Sequence, residues 1–230
     1  MDHAAKNLAQ YIDAAVLAPN LSDAEARAQT QVAIDHGCKT VCVRPCSLDM
    51  AVAMCAGQVT KPSVVLGFPH GDQTTAAKVA EARDTMGLSP FEVDMVNNIG
   101  MVRSGNWAAY EAEIQAIAEV VHGGGARLKV ILETSQLTRE EIMDATRACV
   151  RAGADFVKTS TGFTGEGATQ EAVAAMLEAA AGRVEVKASG GIRDAAKARL
   201  FLEMGCTRLG VGVSSVPALA AGGGVEGEGY

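Results

Sequence analysis

"FVKTSTGF", residues 156–163, places a lysine directly after two apolar residues and before a run of small hydroxylated residues and glycine. Lysine suits a buried strand poorly, because an apolar wall cannot replace the water its ammonium loses. The pattern returns at 184–192, "VEVKASGGI", and an acid plays the equivalent part at 91–100, "FEVDMVNNIG". "RLKVILET", 127–134, adds Lys129 as a further strand lysine. Charges of both signs recurring inside apolar runs point to a shared interior where strands converge.

Working outward, short apolar runs alternate with longer Ala-rich amphipathic segments. Strands are expected near Tyr11–Asp13, Thr40–Val43, Val64–Phe68, Glu92–Val96, Lys129–Glu133, Phe156–Thr159, Glu185–Ala188 and Arg208–Val211. Helical patterns lie between them, such as "TREEIMDATRACVRAG" (138–153) and "RDAAKARLFLEMG" (193–205). Several open on Ser, Thr, Asn or Asp and most close on Gly, as capping chemistry prefers. Eight strands alternating with helices, with no linker between halves, predict an α/β fold: a single closed (β/α)8 barrel over 1–220. Residues 221–230 hold too many glycines for a stable helix and are expected to form a flexible tail ending in Tyr230.

The composition narrows the function. The chain has 230 residues, 48% of them apolar and only 4% aromatic, enough for a large core of small aliphatic side chains. A net charge of −7 with no basic run disfavours nucleic acid and anionic membranes as partners. The opening stretch lacks a charged-then-apolar leader, so a cytoplasmic location is expected. Six cysteines without a CxxC or nearby paired histidines read as reduced, mostly buried thiols rather than a metal site.

In a barrel, reactive groups gather at the C-terminal ends of the strands. Asp94, Lys158 and Lys187 are therefore the leading catalytic residues. An ammonium beside a second lysine and away from water is disfavoured, and the neutral amine attacks carbonyl carbon. The loops "KASGGIRD" and "RLGVGVSS", after the seventh and eighth strands, suit an anion held by backbone amides. They point to a phosphorylated small molecule. Either Gly210 or Gly212 fits the phosphate role in the second loop.

"YIDAAVLAPN", "VCVRP", "GFPHG", "EVDMVNNIG", "KVILET", "ADFVKTSTGF", "EVKASGGIR" and "TRLG…SS" together resemble deoxyribose-phosphate aldolase, in order and from about Tyr11 to Leu219. The resemblance implies a class I, Schiff-base aldolase that needs no metal or other cofactor. Its reaction would be reversible cleavage of 2-deoxy-D-ribose 5-phosphate to D-glyceraldehyde 3-phosphate and acetaldehyde, in deoxyribonucleotide breakdown. By motif matching, Lys158 would form the Schiff base and Lys187 would favour its neutral form. Asp94 would move protons through a bound water, Asp13 would hold Lys187, and Tyr230 would assist enamine protonation.

Cys42 matches a cysteine beside the substrate channel. Thr159, Gly162, Gly190, Gly191, Gly212, Ser214 and Ser215 match substrate or phosphate contacts, and a homodimer is a possible assembly. Three departures bear on preference. "DAAVLAP" puts Ala14, Ala15 and Ala18 where an imidazole, a hydroxyl and an ammonium are usual, which is expected to weaken substrate contacts or a local hydrogen-bond network. Asn97 brings a polar group expected near the mouth, and the last loop is longer. Two other readings stand beside this one: a Schiff-base aldolase with shifted aldehyde or non-phosphorylated preference, and a non-catalytic sugar-phosphate-binding barrel.

Overall fold

The computed structural model describes residues 8–224. Eight strands form a closed, all-parallel barrel in sequence order: β1 (Ile12–Val16), β2 (Thr40–Val43), β3 (Lys61–Leu66), β4 (Glu92–Val96), β5 (Arg127–Ile131), β6 (Phe156–Lys158), β7 (Glu185–Ser189) and β8 (Arg208–Gly212), which pairs back onto β1. Around them lie α1 (Asp23–Asp35), α2 (Leu48–Cys55), α3 (Thr75–Met86), α4 (Ile99–Arg103), α5 (Trp107–Gly123), α6 (Arg139–Arg151), α7 (Gln170–Ala180), α8 (Ala195–Met204) and α9 (Val216–Ala220). The expected (β/α)8 barrel is the observed fold.

Caps fix where the main helices begin. Ser22 with Glu25 and Thr138 with Glu141 make reciprocal capping boxes at α1 and α6, and the Asp194 carboxylate accepts from Lys197 N at α8. Three short helices escaped the sequence pattern. Of these, α4 and α9 are five-residue segments, and α2 is an eight-residue one without a polar stripe. Strand limits also move. The third strand begins at Lys61 and the fifth ends at Ile131, so Glu133 lies beyond the sheet in left-handed backbone, φ 58°.

The alternation of each strand sorts its side chains into two populations. One parity faces the helices and is aliphatic: Val41, Val64, Val93, Val130, Val157, Val186 and Leu209 all join one large core. The other parity faces the barrel axis and carries Asp13, Thr40, Ser63, Glu92, Asp94, Lys129, Lys158, Lys187 and Arg208, all buried. A barrel interior is ordinarily filled with branched aliphatics. Here it is a hydrogen-bonded column of charge, and the hydrophobic driving force comes from the interface between strands and helices.

The chain beyond α9 folds back. Gly223 O accepts from Ala195 N at 2.9 Å, and Gly224 bridges to Asp194 at the start of α8. Tyr230, and the tail beyond Gly224, lie outside the described residues. No helix among the described residues is long and apolar enough to cross a membrane.

Candidate active site

β6 and β7 are in register so that Lys158 pairs with Lys187, and β4 and β5 so that Asp94 pairs with Lys129. Sequence-distant charges therefore meet on the axis. Lys158 Nζ donates to Asp94 Oδ2 at 2.9 Å, and Lys187 Nζ donates to the same oxygen at 2.8 Å. Lys187 also reaches Asp13 Oδ2 at 2.5 Å, the contact expected of Asp13. Lys129 bonds Asp94 Oδ1 at 2.7 Å and Glu92 Oε2 at 2.6 Å. Deeper still, Arg208 spans Asp13 Oδ1 at 2.7 Å and both oxygens of Glu92 at 2.6 and 3.0 Å. Thr40 Oγ1 completes the shell of Asp13 at 2.8 Å.

Burying ions costs several kcal/mol each unless partners replace their water. The pairing sets the charge states. Burial pulls the Lys187 ammonium down, yet the Asp13 and Asp94 carboxylates outweigh it and hold its pKa above the ordinary lysine value. Burial likewise pushes Asp94 up, but Lys129, Lys158 and Lys187 hold its carboxyl well below the usual carboxylate range. Lys187 is thus a fixed cation and Asp94 a fixed anion beside the Lys158 nitrogen.

One side of the mouth is apolar. Ala15, Cys42 and Val65 from β1–β3, with Leu17 just past β1, form a small interior cluster with Phe68 against it. The Cys42 thiol is buried and its pKa is raised, by burial and then by Asp94, so it stays protonated in this wall. The alanine departures separate here. Ala14 faces the helices, so no substrate contact is lost there, whereas Ala15 lines the interior and extends the apolar wall. Phe163 leans across from the loop after β6 to meet the Phe68 ring edge-on, centroids 5.1 Å apart. The Lys158 side chain is only 3% exposed.

The other side is a cleft of about 230 Å³ lined by Gly162, Gly165, Gly167, Gly190, Gly191, Ile192, Arg193, Gly210, Gly212 and Ser215. It is built from the predicted loops. Gly190 and Gly191 take left-handed backbone, φ 90° and 68°. Both open glycines of the last loop line the cleft, with different tasks. A Cβ on Gly210 would lie 2.2 Å from Ser189 Oγ and 3.2 Å from Lys187 Cε, so Gly210 makes room chiefly for the Ser189 side chain and also for the lysine stem. Gly212 sits at the mouth, where β8 passes into the turn Val213–Ser215. Ser215 lines the cleft, while Ser214 is exposed and does not line it.

Gly167 was not expected in the site, yet a Cβ there would fall 2.3 Å from the carbonyl of Gly190. Gly167→Ala must therefore push the loop after β6 away from the anion loop after β7. We expect a rise in KM for a phosphorylated substrate of about 10- to 100-fold. Adduct formation with unphosphorylated acetaldehyde should be nearly unchanged, since the lysines are on other segments. Steady-state kinetics with both compounds checks this.

Other residues are placed differently from the sequence reading. The Thr159 hydroxyl donates to Ser189 O at 2.9 Å and accepts from Ser189 N at 3.0 Å, so it ties β6 to β7 rather than facing a ligand. Asn97, expected near the mouth, is fully buried: Tyr110 Oη donates to its Oδ1 at 3.0 Å and its Nδ2 donates to Leu132 O at 3.2 Å. His70 is exposed. Of the cysteines, Cys46 is exposed and the other five are buried, all unpaired.

Glu133 is a residue whose importance the sequence understated. Its carboxylate accepts from Thr161 Oγ1 at 2.5 Å and Thr164 Oγ1 at 2.7 Å, pinning the loop that carries Gly162 and Phe163. Arg208, Glu92 and Arg193 were missed as well. An Arg after "SGGI" was the available signal for the last. Among the described residues, no group of three or more His, Cys, Asp or Glu is arranged to hold a metal.

Two lysine nitrogens crowded on one buried carboxylate, next to an anion cleft, are suited to carbonyl chemistry run by a lysine. Enzymes of that class are the lysine-dependent aldolases. The sequence profile described as DeoC/LacD family aldolase matches residues 1–210. Deoxyribose-phosphate aldolase 1 of Cutibacterium acnes is 41% identical over 204 residues, spanning 89% of this chain and 93% of the relative. Among solved structures, the aldolase QR15 superposes with TM-score 0.87 at 37% identity, covering 94% of this chain and 95% of the other. The deoxyribose phosphate aldolase of Aeropyrum pernix, described as a tetramer, gives 0.85 at 29% identity, with 93% and 89% covered. The chain belongs to the DeoC/LacD family of aldolases and is a lyase.

Proposed function

We propose that this enzyme cleaves and forms 2-deoxy-D-ribose 5-phosphate, exchanging it with D-glyceraldehyde 3-phosphate and acetaldehyde through an imine on Lys158. The observation that carries the reading is the single oxygen of Asp94 shared by Lys158 and the charged Lys187.

The open-chain sugar enters with its phosphate in the glycine cleft and its aldehyde at the axis. Neutral Lys158 adds to C1 to give a carbinolamine, which loses hydroxide as water after protonation and becomes an iminium. The C3 hydroxyl proton then passes to the bound water beside Asp94 as the C2–C3 bond breaks. Its electron pair passes into the enamine, and glyceraldehyde 3-phosphate leaves. Protonation of the enamine at C2 and hydrolysis return acetaldehyde and the free amine. Asp94, an anion beside both nitrogens, relays protons at the carbinolamine stage through a bound water, and Lys187 keeps positive charge close throughout. The wall of Ala15, Leu17, Cys42 and Val65 suits the two-carbon aldehyde end. Tyr230 is assigned the enamine protonation step.

Borohydride reduction in the presence of acetaldehyde or deoxyribose 5-phosphate tests the assignment. A stable added mass on the Lys158 peptide is expected, and no adduct there in folded protein would falsify it. Faster turnover of an unphosphorylated sugar than of deoxyribose 5-phosphate would favour the shifted-preference reading instead. A phosphorylated sugar and a small aldehyde are the partners this reading requires.

A further inference from the structure

The barrel interior has an uneven charge ledger. Its cations are Lys129, Lys158, Lys187 and Arg208, and its carboxylates are Asp13, Glu92 and Asp94, so four positive groups face three negative ones. The contacts are unevenly distributed. Arg208 occupies Asp13 Oδ1 and both oxygens of Glu92. Lys129 bonds Glu92 and Asp94, and Lys187 bonds Asp13 and Asp94. Of these four cations, Lys158 alone has a single carboxylate partner, and it shares that oxygen with Lys187.

A guanidinium does not give up its proton in a protein, whereas a buried lysine can. We propose that Arg208, held against Glu92 at the base of the barrel, is a positioning residue that sets the reactivity of Lys158. Its permanent charge occupies carboxylate oxygens the lysines would otherwise use, which leaves Lys158 with one carboxylate oxygen shared with Lys187. The inference rests on Lys158 being the amine that forms the imine.

The other charged groups nearby are engaged elsewhere: the buried Glu133 carboxylate, past the end of β5, is taken up by the Thr161 and Thr164 hydroxyls and, among the described residues, makes no ion pair with the column. On β2, the buried Cys42 thiol is held protonated, and Cys38 beyond it is pushed up to about 12 by burial and then by Asp13. On β5, Arg127 lies below the column at the rim, pairs with Glu185 on β7, and has Asp155 and Glu92 at 4.0 Å; its side chain is 37% exposed and therefore screened. His122 from α5 contacts Asp155 on the outside, at 2.8 Å. On β3 the interior position beside Thr40 is the uncharged Ser63.

The sign of each effect follows from the charge removed. Arg208→Met takes away a cation, so the Lys158 proton is held more tightly and the acid limb of the rate profile moves to higher pH. Glu92→Gln takes away an anion, and the limb moves to lower pH. Each shift is expected to be about one pH unit. Arg208→Lys keeps the charge and should leave the limb near that of the parent. The double variant Arg208→Met, Glu92→Leu removes one charge of each sign and should also restore it, and replacing such a buried pair by apolar groups is often tolerated by the fold.

The measurement is the rate of cyanoborohydride-trapped adduct formation with acetaldehyde between pH 5 and 9, below the ordinary lysine value of about 10.4. Acetaldehyde has no phosphate, so its own ionisation does not enter. Opposite shifts in the two single variants support the proposal. A purely structural role would lower rates without separating the limbs, so unmoved limbs, or shifts in one direction, overturn it. Should Arg208→Met not fold, Glu92→Gln and Arg208→Lys still decide the matter. An adduct away from Lys158 in the parent enzyme would sink the imine assignment itself, whereas an adduct on Lys158 with unmoved limbs would sink only this inference.

Discussion

Lys158→Met should leave a folded barrel that turns over deoxyribose 5-phosphate at least about four orders of magnitude more slowly, because the covalent route is gone. The borohydride adduct should vanish with it. The fold should survive because Asp94 keeps Lys129 at 2.7 Å and Lys187 at 2.8 Å, so no carboxylate is left bare. Removing the surplus cation should, if anything, raise the thermal midpoint. Lys158→Arg separates charge from nucleophilicity: it keeps a cation on Asp94, yet a guanidinium does not attack an aldehyde, so it should be as inactive as the methionine variant. Activity above about 1% in either folded variant would mean that another amine carries the imine.

Lys187→Leu is expected to lower turnover at neutral pH by about two to four orders of magnitude, with part of the loss recovered in alkaline buffer. Lys187 lies on Asp13 and Asp94 at 2.5 and 2.8 Å, and those two carboxylates hold it protonated despite burial. Taking that cation away leaves Asp94 to bind the Lys158 proton more firmly. The acid limb therefore moves up in pH, which a loss of packing alone would not produce. Denaturant unfolding run alongside separates the two effects. Rates that stay low at all pH values, with a limb where the parent has it, would show that Lys187 acts on a step other than imine formation.

Much of this architecture was legible before any coordinates. Alternation of aliphatic residues with Asp94, Lys158 and Lys187 marks strands that bury one face against helices and turn the other to something polar. The glycine loops were placed correctly because Gly190 and Gly191 adopt left-handed backbone, which a side chain would strain. Arg208 and Glu92 were not legible as interior groups. Each opens its strand, where a charge ordinarily ends in solvent, and only barrel closure turns both inward. Asn97 misled for a related reason: one residue past β4, its side chain turns under α5 to Tyr110 instead of into the mouth. Glu133 sits in backbone that the apolar run "KVILE" gives no sign of, since its left-handed φ is imposed by the loop it pins.

From sequence alone came the eight-strand alternation, the lysines and acid worth asking about, and the loops suited to phosphate, because each depends on neighbours within a few residues. What only the tertiary structure decided is which charge touches which. Asp13 and Arg208 are separated by nearly the whole chain, yet lie 2.7 Å apart because β8 closes on β1. Electrostatic energy depends on distance through space and on lost water, and neither is written in the order of residues.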